Sequence, residues 1–369
     1  MGRVGHPSPV LLDTLRLGRE PDPAEVRAAW SRLDTRGLSS LVRQEGCALW
    51  LYRRLKNAGA ESTLPQAFGT WLAKQARELT ARNILVDVEV ARLAQWLSRH
   101  RYPHVWLKGA ARRMGAERYP FADARATHDV DLLLPPDRAR KVWDELQRTG
   151  YQSAGALDRT PENHFHLPPL LGADRVAVEL HQATSRHESP GEAWRRATTG
   201  AVKITRGGVT CIIPSATELL WHSLTHGLIQ GTAAFRLRYF QDASVILASA
   251  EPIDWDLIAR RLGSPEVPSQ GLALTWLGAA AELAGYQLPA ELRKVAAFDA
   301  GRALRWRLQV HRRWAHHPRT AGKLIEEGTR AEIGWPIMPG VPGTSLGVRL
   351  RRRLAAVAAR AAYRVWRMM

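Results

Sequence analysis

The stretch His128-Asp129-Val130-Asp131-Leu132-Leu133-Leu134 decides how this chain folds and what it does. Successive side chains of a strand alternate between faces, so Asp129 and Asp131 point to the same side. The leucines behind them predict a strand buried on both faces. Carboxylates at the head of such a strand are unfavourable unless something cationic neutralises them. A divalent metal held for chemistry is the economical explanation, and Mg²⁺ takes oxygen ligands of this kind.

A strand, a turn and a helix precede this stretch. His104-Val105-Trp106-Leu107 predicts the strand, Lys108-Gly109 the turn, and residues 110–114 the helix. The free amides and dipole of a helix start attract phosphate, and Lys108 adds a point charge. An ordinary strand-to-helix turn has the same appearance. The turn is not a Walker A loop, and no Gly-x-Gly-x-x-Gly follows a strand anywhere in the chain. After the acidic strand, Pro135-Pro136-Asp137 starts a helix expected to run to about 149, closed by Gly150. Val176-Ala177-Val178-Glu179-Leu180-His181 is the next strand, with Ala177, Glu179 and His181 on one face. Asp129, Asp131 and Glu179 thus form a candidate set of three carboxylates. Such a set suits phosphoryl chemistry, in which metal ions about 3.5–4 Å apart clamp the attacking and leaving oxygens.

Helices are expected on either side. In residues 64–99, Leu85, Val88, Leu93, Trp96 and Leu97 recur among charged residues at helical spacing, and Pro65 is placed to open the helix. Residues 202–205 and 209–213 flank Arg206-Gly207-Gly208 as a hairpin. Ser215-Ala216-Thr217-Glu218 is a capping box that starts a helix to about 231. A helix over about 235–249 sets Arg238 and Asp242 four residues apart, and another opens at Asp254. Residues 321–347, rich in Gly and Pro, predict a linker. From about 345 a last helix puts Leu346, Leu350, Leu354, Val357, Ala361 and Val365 on one stripe, beside Arg349, Arg353, Arg360, Arg364 and Arg367.

The 369 residues suffice for two or three domains, and 45% of them are hydrophobic. The expected division is an N-terminal helical region (1–101), a core of mixed sheet and helices (102–213), a helical domain (214–300) and a basic tail (301–369). No stretch approaches the ~18 uncharged apolar residues of a membrane span. Neither a signal core nor an acylation motif opens the chain, and Cys47 and Cys211 suggest neither a disulfide framework nor a zinc site. The expected location is cytoplasmic. Net charge is +18, and fifteen Lys/Arg against three Glu lie from Arg302 onward. That tail would attract a polyanion such as nucleic acid, an acidic protein or an anionic membrane, unless it is merely a solvated surface.

Several histidines and tryptophans admit two readings each. His222 and His226, at i and i+4, fit packing better than metal binding, since no Glu follows His222 as in zinc proteases. His164 and His166 share a face of a possible strand; they would line the cleft or, the preferred reading, be merely exposed. His181 would either orient a substrate or serve structure. Most of the fourteen tryptophans belong to the core. Trp306, Trp314 and Trp366, set among arginines, would otherwise stack on bases or meet a membrane.

Strand–Gly–helix, then a strand with Asp-x-Asp, then an acid on a further strand resembles the DNA polymerase β-like nucleotidyltransferase superfamily. The chain is more closely similar to the bacterial uncharacterised nucleotidyltransferase family. The matching segments are Leu107-Lys108-Gly109-Ala110, Tyr119-Pro120, Arg125 ahead of Asp129-Val130-Asp131-Leu132-Leu133, Gly150-Tyr151 and Val178-Glu179-Leu180-His181. Ile213-Pro214-Ser215 and the Arg238–Asp242 helix also match, and the likeness covers about residues 10–290. It implies an α+β fold: a small mixed sheet with helices, flanked by helical regions. It also implies transfer of a nucleoside monophosphate from an NTP, ATP among them, with Mg²⁺ or Mn²⁺. Asp129 and Asp131 would hold metal, and Glu179 would be a further ligand or the general base. Gly109 would let the backbone approach the triphosphate, while Lys108 and Arg125 neutralise phosphate charge. The chain departs from the superfamily in Lys108-Gly109 at the phosphate turn, His128 before the first Asp, and a longer loop around Phe121-Ala122-Asp123-Ala124. The acceptor is open: a small molecule, a peptide, a protein or an RNA. The rival expectation is a non-catalytic protein that keeps the fold and binds RNA, membrane or a partner through its tail. A third is an RNA-directed transferase that needs the tail.

Overall fold

The helical patterns at both ends and the apolar strands between them fold together around the sheet. The structure, a computed structural model, describes residues 7–332 apart from 19–21, 32, 156–164, 207, 268, 294–299 and 315–317. The C-terminal arginine stripe, Trp366 and His164 lie outside the described residues.

Helices α1 (Pro7–Leu15), α2 (Pro23–Ser31), α3 (Leu38–Glu45) and α4 (Ala48–Asn57) open the chain. The long α5 (Gln66–Arg99) follows, with Pro65 at its N-cap as expected. Phe68, Leu72, Val86, Val90, Leu93 and Leu97 form its buried stripe. The stripe excludes two residues that the spacing included: Leu85 and Val88 are exposed, as is Ile84.

Next come β1 (Val105–Trp106), α6 (Lys108–Met114), β2 (Asp129–Leu133), α7 (Ala139–Arg148), β3 (Gln152–Ser153), β4 (Leu170–Leu171) and β5 (Ala177–His181). The sheet order is β1-β2-β5-β4-β3. β2 and β5 are parallel, and the other neighbours are antiparallel. This is an α+β fold with a small mixed sheet, as expected. Val130, Leu132, Leu133 and Leu134 are fully buried, so the acidic strand is covered on both faces. Val105, Leu107 and Leu133 pack with Ala197 in a small cluster apart from the main core.

Helix α8 (Pro190–Thr198) leads to the hairpin β6 (Val202–Arg206) and β7 (Val209–Ile213), and then α9 (Ala216–Ile229), α10 (Leu237–Leu247), α11 (Trp255–Arg261) and α12 (Gln270–Ala284). Two local expectations fail here because tertiary charge partners win. The Ser215 side chain accepts from the Glu218 N–H, but the Glu218 carboxylate turns to Arg196 (3.2 Å) and Arg261 (2.7 Å) rather than closing the capping box. A complete capping box forms instead at Ser189 and Glu192, opening α8. Asp242 faces Arg112 and Arg125 rather than Arg238.

Helices α13 (Ala300–Trp314) and α14 (Pro318–Glu332) end the described chain. Residues 321–332, expected within a linker, are therefore helical. Ala321 and Ile325 supply the apolar contacts that make the difference, packing on Trp306 and Val310. Trp306 is buried, and its indole N–H donates to Leu324 O, so it presents no face to a base or a membrane. One apolar cluster runs from Leu11 on α1 to Leu308 on α13 and crosses the boundaries expected at 101, 213 and 300. No helix among the described residues is long and apolar enough to cross a membrane.

Candidate active site

Parallel pairing of β2 with β5 sets Asp129 against Ala177, Asp131 against Glu179, and Leu133 against His181. In-register neighbours share a face, so the acids and His181 meet on one side of the sheet. The chain leaving β1 arrives at the same point, since the Leu107 N–H donates to Asp131 O at 3.0 Å. Lys108 then projects across the cluster. Its Nζ lies 2.5 Å from Asp131 Oδ1 and 3.8 Å from Glu179 Oε2. His181 Nε2 lies 2.9 Å from the same Oδ1 and 3.5 Å from Glu179 Oε2. The Asp131 side chain is 1% exposed, that of Lys108 12% and that of Glu179 20%.

Burial alone would push the Asp131 carboxyl upward, but Lys108 and the hydrogen bond from His181 hold it well below the usual carboxylate range. Glu179 is likewise lowered, its burial outweighed by His181 and Lys108. Burial opposes a charge on His181 and on Lys108, yet the carboxylates raise both. Geometry agrees for His181: Nε2 faces Asp131, and Nδ1 faces Ala183 O at 3.3 Å. Both partners are acceptors only, so both ring nitrogens donate and the imidazolium is favoured. Asp129 differs. Burial and the charge of Asp131 raise its pKa, and its carboxylate has no hydrogen-bond or ion-pair partner among the described residues.

One oxygen or nitrogen each from Asp131, Glu179 and His181 lies within 4.8 Å of the others. Donors this close suit a single divalent ion, whose oxygen ligands stand about 2.0–2.6 Å from it. Two carboxylates suit Mg²⁺ or Mn²⁺, while an imidazole leans toward the transition-metal side of that choice. Asp129 is on the same pleat face but outside this group.

The profile of a family described as uncharacterised nucleotidyltransferases matches residues 31–280. The chain belongs to this family. Among solved structures it is similar to an antigenic nucleotidyltransferase-like protein from Paracoccidioides brasiliensis, with 16% identity over 56% of this chain and 94% of that one and a TM-score of 0.37. At that score the likeness bears on neither fold nor function. A search of curated proteins returns no match.

In this nucleotidyltransferase-family chain the expected site residues are partly gathered and partly tied elsewhere. Asp131, Glu179 and Lys108 converge. Arg125 is held by Asp242, its Nε at 2.6 Å from Oδ1, and also donates to Ala126 O and Thr127 Oγ1. Its guanidinium lies over Gly109, where an added Cβ would come within 2.6 Å of Nη1 and 2.7 Å of Thr127 Cγ2. Gly109 is thus needed for this loop to close over the turn. Asn83 of α5 fixes the same loop, accepting from the Thr127 N–H and donating to Arg125 O, both at 2.9 Å.

Three histidine placements are sharper than the sequence allowed. His181 sits inside the carboxylate cluster, and its place next to Glu179 in a strand was the available hint. His166, expected to be exposed, is half-buried and bridges to His181, with ring centroids 5.3 Å apart. His222 and His226 of α9 lie within electrostatic reach of the cluster. Burial lowers both pKa values, His226 to about 3, and the charge of Lys108 adds to the effect. Their i,i+4 spacing showed a shared face but not what it faced.

Proposed function

We propose that this chain is a cytoplasmic, divalent-metal-dependent nucleotidyltransferase of the DNA polymerase β-like superfamily. It moves a nucleoside monophosphate from an NTP, with ATP a candidate donor, to a hydroxyl or similar acceptor. The observation that carries this reading is the gathering of Asp131, Glu179 and His181 within 4.8 Å, in a chain of a nucleotidyltransferase family.

Asp131 and Glu179 would hold the cation, and His181 would complete the set once its Nε2 gives up its proton. A bound Mg²⁺ or Mn²⁺ would supply positive charge to the α-phosphate and to the attacking oxygen. Asp129, on the same face and with a raised pKa, is the most basic of the three carboxylates and suits taking the acceptor's proton. The acceptor oxygen bonds to the α-phosphorus, the bond to the β-phosphate breaks, and pyrophosphate leaves with the electron pair. Lys108 neutralises phosphate charge. Arg125, fastened to Asp242, contributes positive field rather than a free guanidinium. Transfer of this kind is mainly positioning and charge neutralisation.

The test incubates purified protein with α-labelled NTPs, Mg²⁺ or Mn²⁺ and cell extract. Labelling of an acceptor by the wild type and not by Asp129→Asn/Asp131→Asn supports the reading; full labelling by the double variant sinks it.

A second reading is favoured by Lys108, which neutralises Asp131 without any metal. On that reading the fold is kept for binding alone, with RNA the partner of the basic tail. No thermal shift with any NTP and Mg²⁺, together with tight salt-sensitive RNA binding, would select it.

A further inference from the structure

On the nucleotidyl-transfer reading, we propose that Lys108 is a built-in substitute for the divalent ion: it occupies the carboxylate cluster while the site is empty and passes to the nucleotide's phosphates as the ion enters.

Three observations carry this. The first is position. Nζ touches Asp131 Oδ1 at 2.5 Å and reaches Glu179 Oε2 at 3.8 Å, two of the groups whose donor atoms lie within 4.8 Å of one another. An ammonium there and a divalent ion on the same oxygens repel each other, so the ion binds more tightly once Lys108 leaves. The second is crowding. Asp131 Oδ1 already serves both Lys108 and His181, and Asp131 is 1% exposed. A metal reaches this oxygen without competition only if Lys108 withdraws as His181 turns its own Nε2 to the ion. The third is the backbone. Lys108 has φ +46°, a left-handed conformation that a side chain with a Cβ rarely adopts. Such conformations persist where surrounding contacts over-determine them. The Lys108–Asp131 pair is one such contact, beside the Leu107 N–H bond to Asp131 O.

A triphosphate offers Lys108 an anionic partner in exchange for the one it leaves. Ion and nucleotide would then assist each other, and by linkage each raises the other's affinity by the same factor. The ion alone would bind weakly because it competes with a tethered cation.

The test measures two affinities separately. Mn²⁺ alone is titrated into wild type, Lys108→Met, Lys108→Gly and Lys108→Met/Asp131→Asn, with free Mn²⁺ followed by electron paramagnetic resonance. Glycine accepts a positive φ without strain, so Lys108→Gly remains informative if Lys108→Met folds poorly. The four α,β-methylene nucleoside triphosphates are then titrated at saturating Mg²⁺. The proposal expects both single variants to bind Mn²⁺ at least tenfold more tightly than wild type, the gain to vanish with Asp131→Asn, and nucleotide affinity to fall at least tenfold. A merely structural Lys108 would lower both affinities. Unchanged or weaker Mn²⁺ binding in the variants overturns the substitution while leaving the metal site of the wild type intact. Tighter Mn²⁺ with unchanged nucleotide affinity overturns the transfer to phosphate. If no protein binds Mn²⁺, the nucleotidyl-transfer reading falls as well.

Discussion

Each ionised group around Asp131 is kept charged by a named neighbour, so single substitutions have signed consequences. Asp131→Asn removes the carboxylate that helps raise His181. The His181 pKa should fall, as an NMR titration of its ring would show; an unmoved His181 would contradict the contact. On the proposed function the same change should slow transfer by roughly two orders of magnitude or more, as loss of one stabilising charge in such sites does. The histidines also divide by sign. His181 has a raised folded pKa. Its contribution to stability is complete below its unfolded value of about 6.5 and is lost as pH rises through its folded value. His222 is buried neutral, its folded pKa well below the ordinary value. It destabilises the fold as pH falls below about 6.5, by up to about 1.4 kcal/mol per pH unit. His222→Gln should therefore gain on wild type in urea midpoints from pH 6.5 to 5, whereas the margin of wild type over His181→Asn should shrink above pH 6.5. At this scale the sequence showed which residues carry charge but not their partners. Glu179 was found because it alternates with apolar neighbours on a strand. The claim of Asp242 on Arg125 depends on a helix more than a hundred residues away and leaves no local trace.

Helices and strands long enough to display a period were legible before they were seen. β5 and β6 alternate visibly, β2 shows as two acids followed by an apolar run, and α9, α10 and α11 open where their starts were expected. The two-residue strands β3 and β4 are too short for any period, and the order β1-β2-β5-β4-β3 depends on pairings between distant segments. A buried charge group links three of the elements. Arg112 of α6 and Arg125 of the following loop both meet Asp242 of α10, at 2.7 and 2.6 Å. Burial lowers Arg112 to about 10 despite that partner. Asp242→Asn leaves two buried guanidinium groups without their anion, and breaking such a pair costs about 3–5 kcal/mol. Urea unfolding should show the loss. A change below about 1 kcal/mol would mean that the carboxylate is dispensable to α6 and α10.

Across the whole molecule the two ends of the described chain depend on each other. The Leu17 N–H donates to Leu283 O at 2.7 Å, and Arg307 of α13 pairs with Glu45 of α3 at 2.7 Å, both side chains buried. Truncation after residue 299 removes Arg307 and should therefore lower the melting temperature sharply relative to truncation after residue 332, as calorimetry would show. Truncation after residue 332 keeps both contacts and so tests whether RNA binding or activity needs the arginine-rich end. The Glu45–Arg307 pair also sets a clock. The two residues are separated by 262 positions, which a ribosome adding roughly 5–20 residues per second crosses in about 13–50 s. Throughout that interval Glu45 has been made and its cation has not. The faces of α1 and α3 that pack on α13 stay uncovered until nearly the whole described chain has emerged. The time of greatest exposure to aggregation and to chaperones thus falls during synthesis, before the protein is released.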